Sequence, residues 1–119
     1  MTTPADHATA AAEAIRSLNH ATLDGGYQWP SEVYDTLGEL ERAARMLPQA
    51  LNQAATWLER EHDAGRIGHD HPKASAGISV EIAVGELGAA IAAATSLRRA
   101  LTGAQEACSH ITGVEDPCT

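Results

Sequence analysis

The sequence predicts an all-α fold, a three-helix bundle built on a long antiparallel helical hairpin within a single domain. Three observations lead there. Two long segments repeat apolar residues in steps of three and four. One takes in Val33, Leu37, Leu40, Ala44, Leu47, Leu51, Ala54 and Leu58, the other Val80, Ala83, Leu87, Ala90, Ala94, Leu97, Leu101, Ala104, Cys108 and Ile111. That spacing gathers each set on one stripe of a helix, and the stripe has to be buried. Between the two segments stands Gly65-Arg-Ile-Gly-His-Asp-His-Pro72, a turn with two glycines and a proline that reverses the chain. Finally, 119 residues suit one domain of modest core.

The first helix is expected over about 4–22. Thr3 is placed to cap it, Pro4 suits its first position, and Asp6 sets a carboxylate at the positive end of its dipole. Ala8, Ala11, Ile15 and Leu18 share one face, and Leu23-Asp-Gly-Gly26 stops it. The second helix is expected over 31–64. Pro48 interrupts it and removes one backbone donor, but the apolar stripe keeps its phase on both sides, which predicts a kink without a reversal. The third is expected over 72–112, capped by Asp70 or His71 and opened by Pro72. Gly113 ends it, and a frayed tail covers 113–119. Behind its stripe runs a ridge of small uncharged residues, Gly85, Gly88, Ala89, Ala92 and Ser96, which predicts a second packed face on this helix.

Composition bears on what such a protein can do. Alanine dominates the apolar residues, there is no Phe, and Tyr27, Trp29, Tyr34 and Trp57 are the aromatics. An alanine core contributes little area, at roughly 25 cal/mol per Å². Self-association through the ridge, as a homodimer, or binding to a helical protein partner is the expected remedy. The net charge of −8 disfavours nucleic acid and anionic membrane surfaces, both of which need a basic face. The uncharged stretch Leu87–Leu97, rich in Gly, Ala, Thr and Ser, is too short to span a bilayer. No secretion signal is visible, and Cys108 and Cys118 form no disulfide framework, so a cytoplasmic location is expected.

Two chemical constellations offer alternatives to a non-enzymatic association module. His62, His69 and His71, with Asp63 and Asp70, cluster at the hairpin tip and supply imidazole and carboxylate donors suited to Zn²⁺ or Ni²⁺. Glu32, Asp35 and Glu39, with Glu81 and Glu86 on the third helix, are carboxylates that adjacent helices could offer to Mg²⁺. Glu32-Val-Tyr-Asp35 is similar to the Glu-x-x-Asp of helical nucleotide pyrophosphatases, though their paired Glu-Glu-x-x-Glu is absent. Nucleophile motifs and phosphate-cradling glycine loops are lacking, and no resident cofactor is expected.

The segment from Trp29-Pro-Ser-Glu-Val-Tyr-Asp35 to Trp57-Leu-Glu-Arg-Glu-His-Asp-Ala-Gly65, with seven arginines to one lysine, resembles small Ala-rich helical proteins of high-GC actinobacteria. That resemblance implies a helical fold and no particular activity.

Overall fold

The computed structural model describes residues 2–71 and 74–114. Three helices, α1 (Pro4–Ala21), α2 (Pro30–Asp63) and α3 (Ala76–Cys108), account for the regular structure, and no strand occurs among the described residues. α2 and α3 pack along their lengths as an antiparallel hairpin. At one end the Gln105 side-chain amide donates to the Tyr34 carbonyl at 3.3 Å, and at the other the His62 ring lies against Gly77. The molecule measures 73 × 29 × 25 Å.

Helix boundaries follow local chemistry. Thr3 and Asp6 form a reciprocal capping box, with Thr3 N donating to Asp6 Oδ2 at 2.9 Å and Asp6 N to Thr3 Oγ1 at 3.1 Å. At the start of α2, Glu32 Oε1 accepts from the backbone N–H groups of Gln28 and Trp29. At its end, Gly65 adopts φ +74°, Gly65 N donates to the His62 carbonyl and Arg66 N to the Glu61 carbonyl. That pair of bonds is a Schellman cap, which requires the left-handed residue glycine supplies.

α3 begins and ends inside its expected limits. Its cap is Ser75, whose hydroxyl accepts from Ile78 N, so Asp70 and His71 lie in the loop before it. Pro72 and the tail 115–119 lie outside the described residues. The C-terminal boundary is Cys108, and Gly113 has a different role from a helix stop: the Trp29 ring lies so close that a Cβ at Gly113 would collide with it.

Pro48 sits within an unbroken α2, and the chain does not reverse there. α1 contributes no buried residue. Its Ile15 and Leu18 border a groove of about 440 Å³ whose other wall is Thr36, Leu40 and Ala43 of α2.

The seam between α2 and α3 departs from the stripes read in the sequence. On α2 it runs Leu37, Glu41, Ala44, Pro48, Leu51, Ala55, Leu58 and His62, all buried or half-buried. On α3 it runs Val80, Val84, Leu87, Ile91, Ala94, Arg98, Leu101, Gln105 and Cys108. Every second stripe position has moved on by one residue. Leu47, Ala54, Leu97, Ala104 and Ile111 are exposed, while Glu41, Pro48, Ala55, Arg98 and Gln105 take the inner places. On α3 the shift brings the larger Val84 and Ile91 inward in place of Ala83 and Ala90, and the polar residues it admits find partners: Glu41 pairs with Arg45 of its own helix and lies 3.9 Å from Arg98, and Gln105 donates to the Tyr34 carbonyl. The core is correspondingly thin: among the described residues Ala44, Ala55, Val80 and Ala94 are the buried apolar ones, and no large side chain is fully buried.

Candidate functional site

The steps of four and three along the seam fix which residues share each outer face. In an antiparallel pair, positions one residue before the seam fall on the same broad side of both helices. On α2 that side carries Val33, Leu40, Leu47, Ala50, Ala54 and Trp57, and on α3 it carries Ala83, Ala90, Ala93, Leu97, Ala100 and Ala107. Glu86 is the one charged residue on the α3 stripe between Ala83 and Ala107. The opposite broad side carries Arg42, Arg45, Gln49, Asn52, Thr56 and Glu59 of α2, with Glu81, Thr95, Arg99, Thr102 and Glu106 of α3. The hairpin therefore has one apolar and one polar broad face.

Among the described residues nothing covers most of the apolar face. Leu47 is 44% exposed, Trp57 57% and Leu97 49%. α1 reaches only the end near Thr36, Leu40 and Ala43. By length and composition α3 is apolar enough to cross a membrane, yet only 6% of its most apolar 18-residue window, at mean hydropathy 1.5, is buried. That window is longer than the uncharged stretch Leu87–Leu97 because it admits charged residues. The small-residue ridge Gly85, Gly88, Ala89, Ala92 and Ser96 is exposed throughout and lies on the outer and polar side of α3, away from the apolar broad face.

A polar layer interrupts the seam. Glu41 is only 7% exposed, Arg45 Nη2 donates to both its carboxylate oxygens at 2.7 Å, and Arg98 Nη1 approaches at 3.9 Å. Gln105 donates to the Tyr34 carbonyl nearer the open end. Polar layers of this kind set register, because any slip strands a buried charge. The Glu41–Arg45 pair is visible in the sequence from its i, i+4 order, which reads as a surface pair, whereas the burial of Glu41 and the approach of Arg98 need the three-dimensional register.

The tip histidines do not converge. His62 belongs to α2 and is half-buried against Gly77, beside a cavity of about 610 Å³ bordered by Glu59, Asp63 and Glu81. His69 Nδ1 accepts from His71 N at 2.9 Å and lies 3.3 Å from Asp70 Oδ1. Among the described residues no group of three His, Cys, Asp or Glu side chains is arranged to hold a metal ion. Below the tip, Arg66 pairs with Glu61, and that hydrogen bond holds the Glu61 carboxyl below the usual carboxylate range against desolvation, with the Arg60 charge assisting.

The acidic constellation is dispersed too. Glu32 is occupied in capping and Glu39 pairs with Arg42 at 2.8 Å. The antiparallel hairpin places Glu81 and Glu86 near its tip and Asp35 near its open end, roughly 30 Å apart at 1.5 Å per residue. No protein-family model, curated protein or solved structure matches the chain.

Proposed function

We propose that the protein is a non-enzymatic association module of the cytoplasm, a helical hairpin whose work is to dock against another protein surface, first of all its own. One observation carries this reading: α3 is the most apolar element of the chain, and 6% of its apolar window is buried. An apolar strip of such length is uncommon on a soluble monomer and marks an interaction surface. The net charge of −8 supports a protein partner over nucleic acid or anionic lipid. Against the metal-binding and nucleotide-hydrolase alternatives stands the scatter of the histidines and carboxylates among the described residues. Sedimentation velocity of the untagged full chain across a hundredfold concentration range tests the proposal. A mass at or above twice that of the chain is expected, and a monomer throughout with no protein recovered alongside it from its native host would overturn it.

A further inference from the structure

We infer that the apolar broad face is a self-docking surface, closed by a second copy of this chain into a four-helix bundle. The inference rests on the association reading above and adds the face, the occupant and the symmetry.

Surface area argues for an occupant of this size. A compact monomer of 12.5 kDa exposes roughly 6,200 Å², whereas this chain exposes 9071 Å². Its radius of gyration is 20.4 Å, against about 13.5 Å for a compact domain of the same length. The surplus is about 2,900 Å² per chain. Removing half of it from each of two copies makes an interface of about 2,900 Å² in total, within the range of obligate homodimers.

Shape argues for the second copy and its orientation. The α2 stripe from Val33 to Trp57 and the α3 stripe from Ala83 to Ala107 each run about 36 Å at 1.5 Å per residue. The large side chains are concentrated on α2, with Leu40, Leu47 and Trp57, while α3 offers mostly alanine. A two-fold axis parallel to the helices lays each α2 over the other copy's α3. Leu47 then meets the level of Ala90 and Ala93, and Trp57 the level of Ala83. Large groups enter small-lined gaps, all four neighbouring helices are antiparallel, and the contact is isologous and closed. Stacking α2 on α2 would set bulk against bulk and leave alanine facing alanine. A bilayer is a poorer occupant: Leu87–Leu97 covers about 16 Å of a hydrocarbon core about 30 Å thick.

Two pairs of neighbouring residues test the assignment. Ala50 and Ala93 lie on the apolar face, whereas Gln49 and Ala92 lie on the polar one, and all four are exposed in the single chain. Sedimentation equilibrium of Ala50→Glu, Ala93→Glu, Gln49→Glu and Ala92→Glu is compared with the parent, with circular dichroism as the check on helicity. Because the axis repeats each change, Ala50→Glu or Ala93→Glu should weaken the dimer by about a hundredfold or more while helicity is retained. Gln49→Glu and Ala92→Glu should change it by less than about threefold. A parent dimer lost with Ala92→Glu and kept with Ala93→Glu would move the interface to the small-residue ridge, overturning this inference but not the association reading. A monomeric parent would overturn this inference, and the association reading with it if no protein were recovered alongside the chain from its native host; partition of a monomer into neutral phosphatidylcholine vesicles would overturn both. If Ala93→Glu lost its helicity, Ala50→Glu alone would decide.

Discussion

Glu41→Gln is the sharpest probe of how the hairpin is held. The carboxylate is 7% exposed and takes two short charge-assisted bonds from Arg45 with a longer approach from Arg98. Arg45 is 65% exposed and Arg98 35%, so both guanidinium groups regain water when the charge opposite them is removed. The expected cost is therefore below the 3–5 kcal/mol of a fully buried broken pair, and above the few tenths of an exposed i, i+4 pair: about 1–2 kcal/mol. For a domain of this size that lowers Tm by about 4–12 °C. Glu41→Leu gives a different result, because a well-packed apolar replacement of a buried ion is near neutral. Its Tm should lie above that of Glu41→Gln. Thermal melts at one fixed protein concentration, at low and at 1 M salt, make the measurement, and the Glu41→Gln deficit should shrink in salt as the exposed Arg45 is screened. A Glu41→Gln protein that melts within 1 °C of the parent would refute the reasoning, and so would a Glu41→Leu protein less stable than Glu41→Gln.

Gly65→Ala should destabilise by about 1 kcal/mol, read by denaturant melts, because its φ of +74° disfavours a Cβ; an unchanged midpoint would mean the Schellman cap is dispensable. Pro48→Ala should stabilise by about 1–3 kcal/mol, since it restores a donor toward the Ala44 carbonyl at the loss of some seam packing; a lowered Tm would show that the proline ring itself holds the seam. Glu61 titrates below its ordinary range because Arg66 favours its charged form. Its contribution is thus present above the unfolded carboxyl value and disappears as pH falls through the lower folded one. Carboxyl NMR should show Arg66→Ala moving the Glu61 titration upward, and an unmoved titration would dissolve the pairing. Replacing His62, His69 and His71 together by Gln should shift Tm by only a few degrees, with chelator without effect on the parent; a collapse would restore a structural metal.

How far the sequence could be read depended on how local the responsible interaction is. The Thr3 and Pro4 start, the glycine stop at Gly65 and the persistence of α2 through Pro48 are decided within a few residues, and each was legible. The α3 boundaries were not: the cap is Ser75, whose hydroxyl accepts from Ile78 N, and neither Asp70 nor His71. The seam was half legible: Leu37, Ala44, Leu51 and Leu58 were placed correctly, as were Val80, Leu87, Ala94, Leu101 and Cys108. The alternate positions were not, because hydrophobicity favours Leu40 over Glu41 and Leu97 over Arg98. The fold reverses that preference once Glu41, Arg45 and Arg98 can neutralise one another.

That reversal joins fold to function. A hairpin that buried Leu40, Leu47 and Leu97 in its own seam would hold a better core and present little apolar surface. Rotating each helix by part of a turn places an ion layer inside and turns those leucines, with Trp57 and the alanines between, onto one broad face. The single chain gives up burial that it could have had. On the association reading proposed above the face is covered later, which recovers the roughly 25 cal/mol per Å² that leucine and tryptophan forgo while wet. The polar layer also keeps α2 and α3 in one register, so the apolar stripes on the two helices stay level. Replacing Glu41 and Arg98 together by Leu should test that link. Helicity should survive, but spin labels at Asp35 and Glu106, both exposed at the open end, should report a broadened distance distribution, and the apparent mass should become heterogeneous. A single narrow distance with an intact dimer would mean that apolar packing alone sets the register, and that the ion layer has no part in presenting the face.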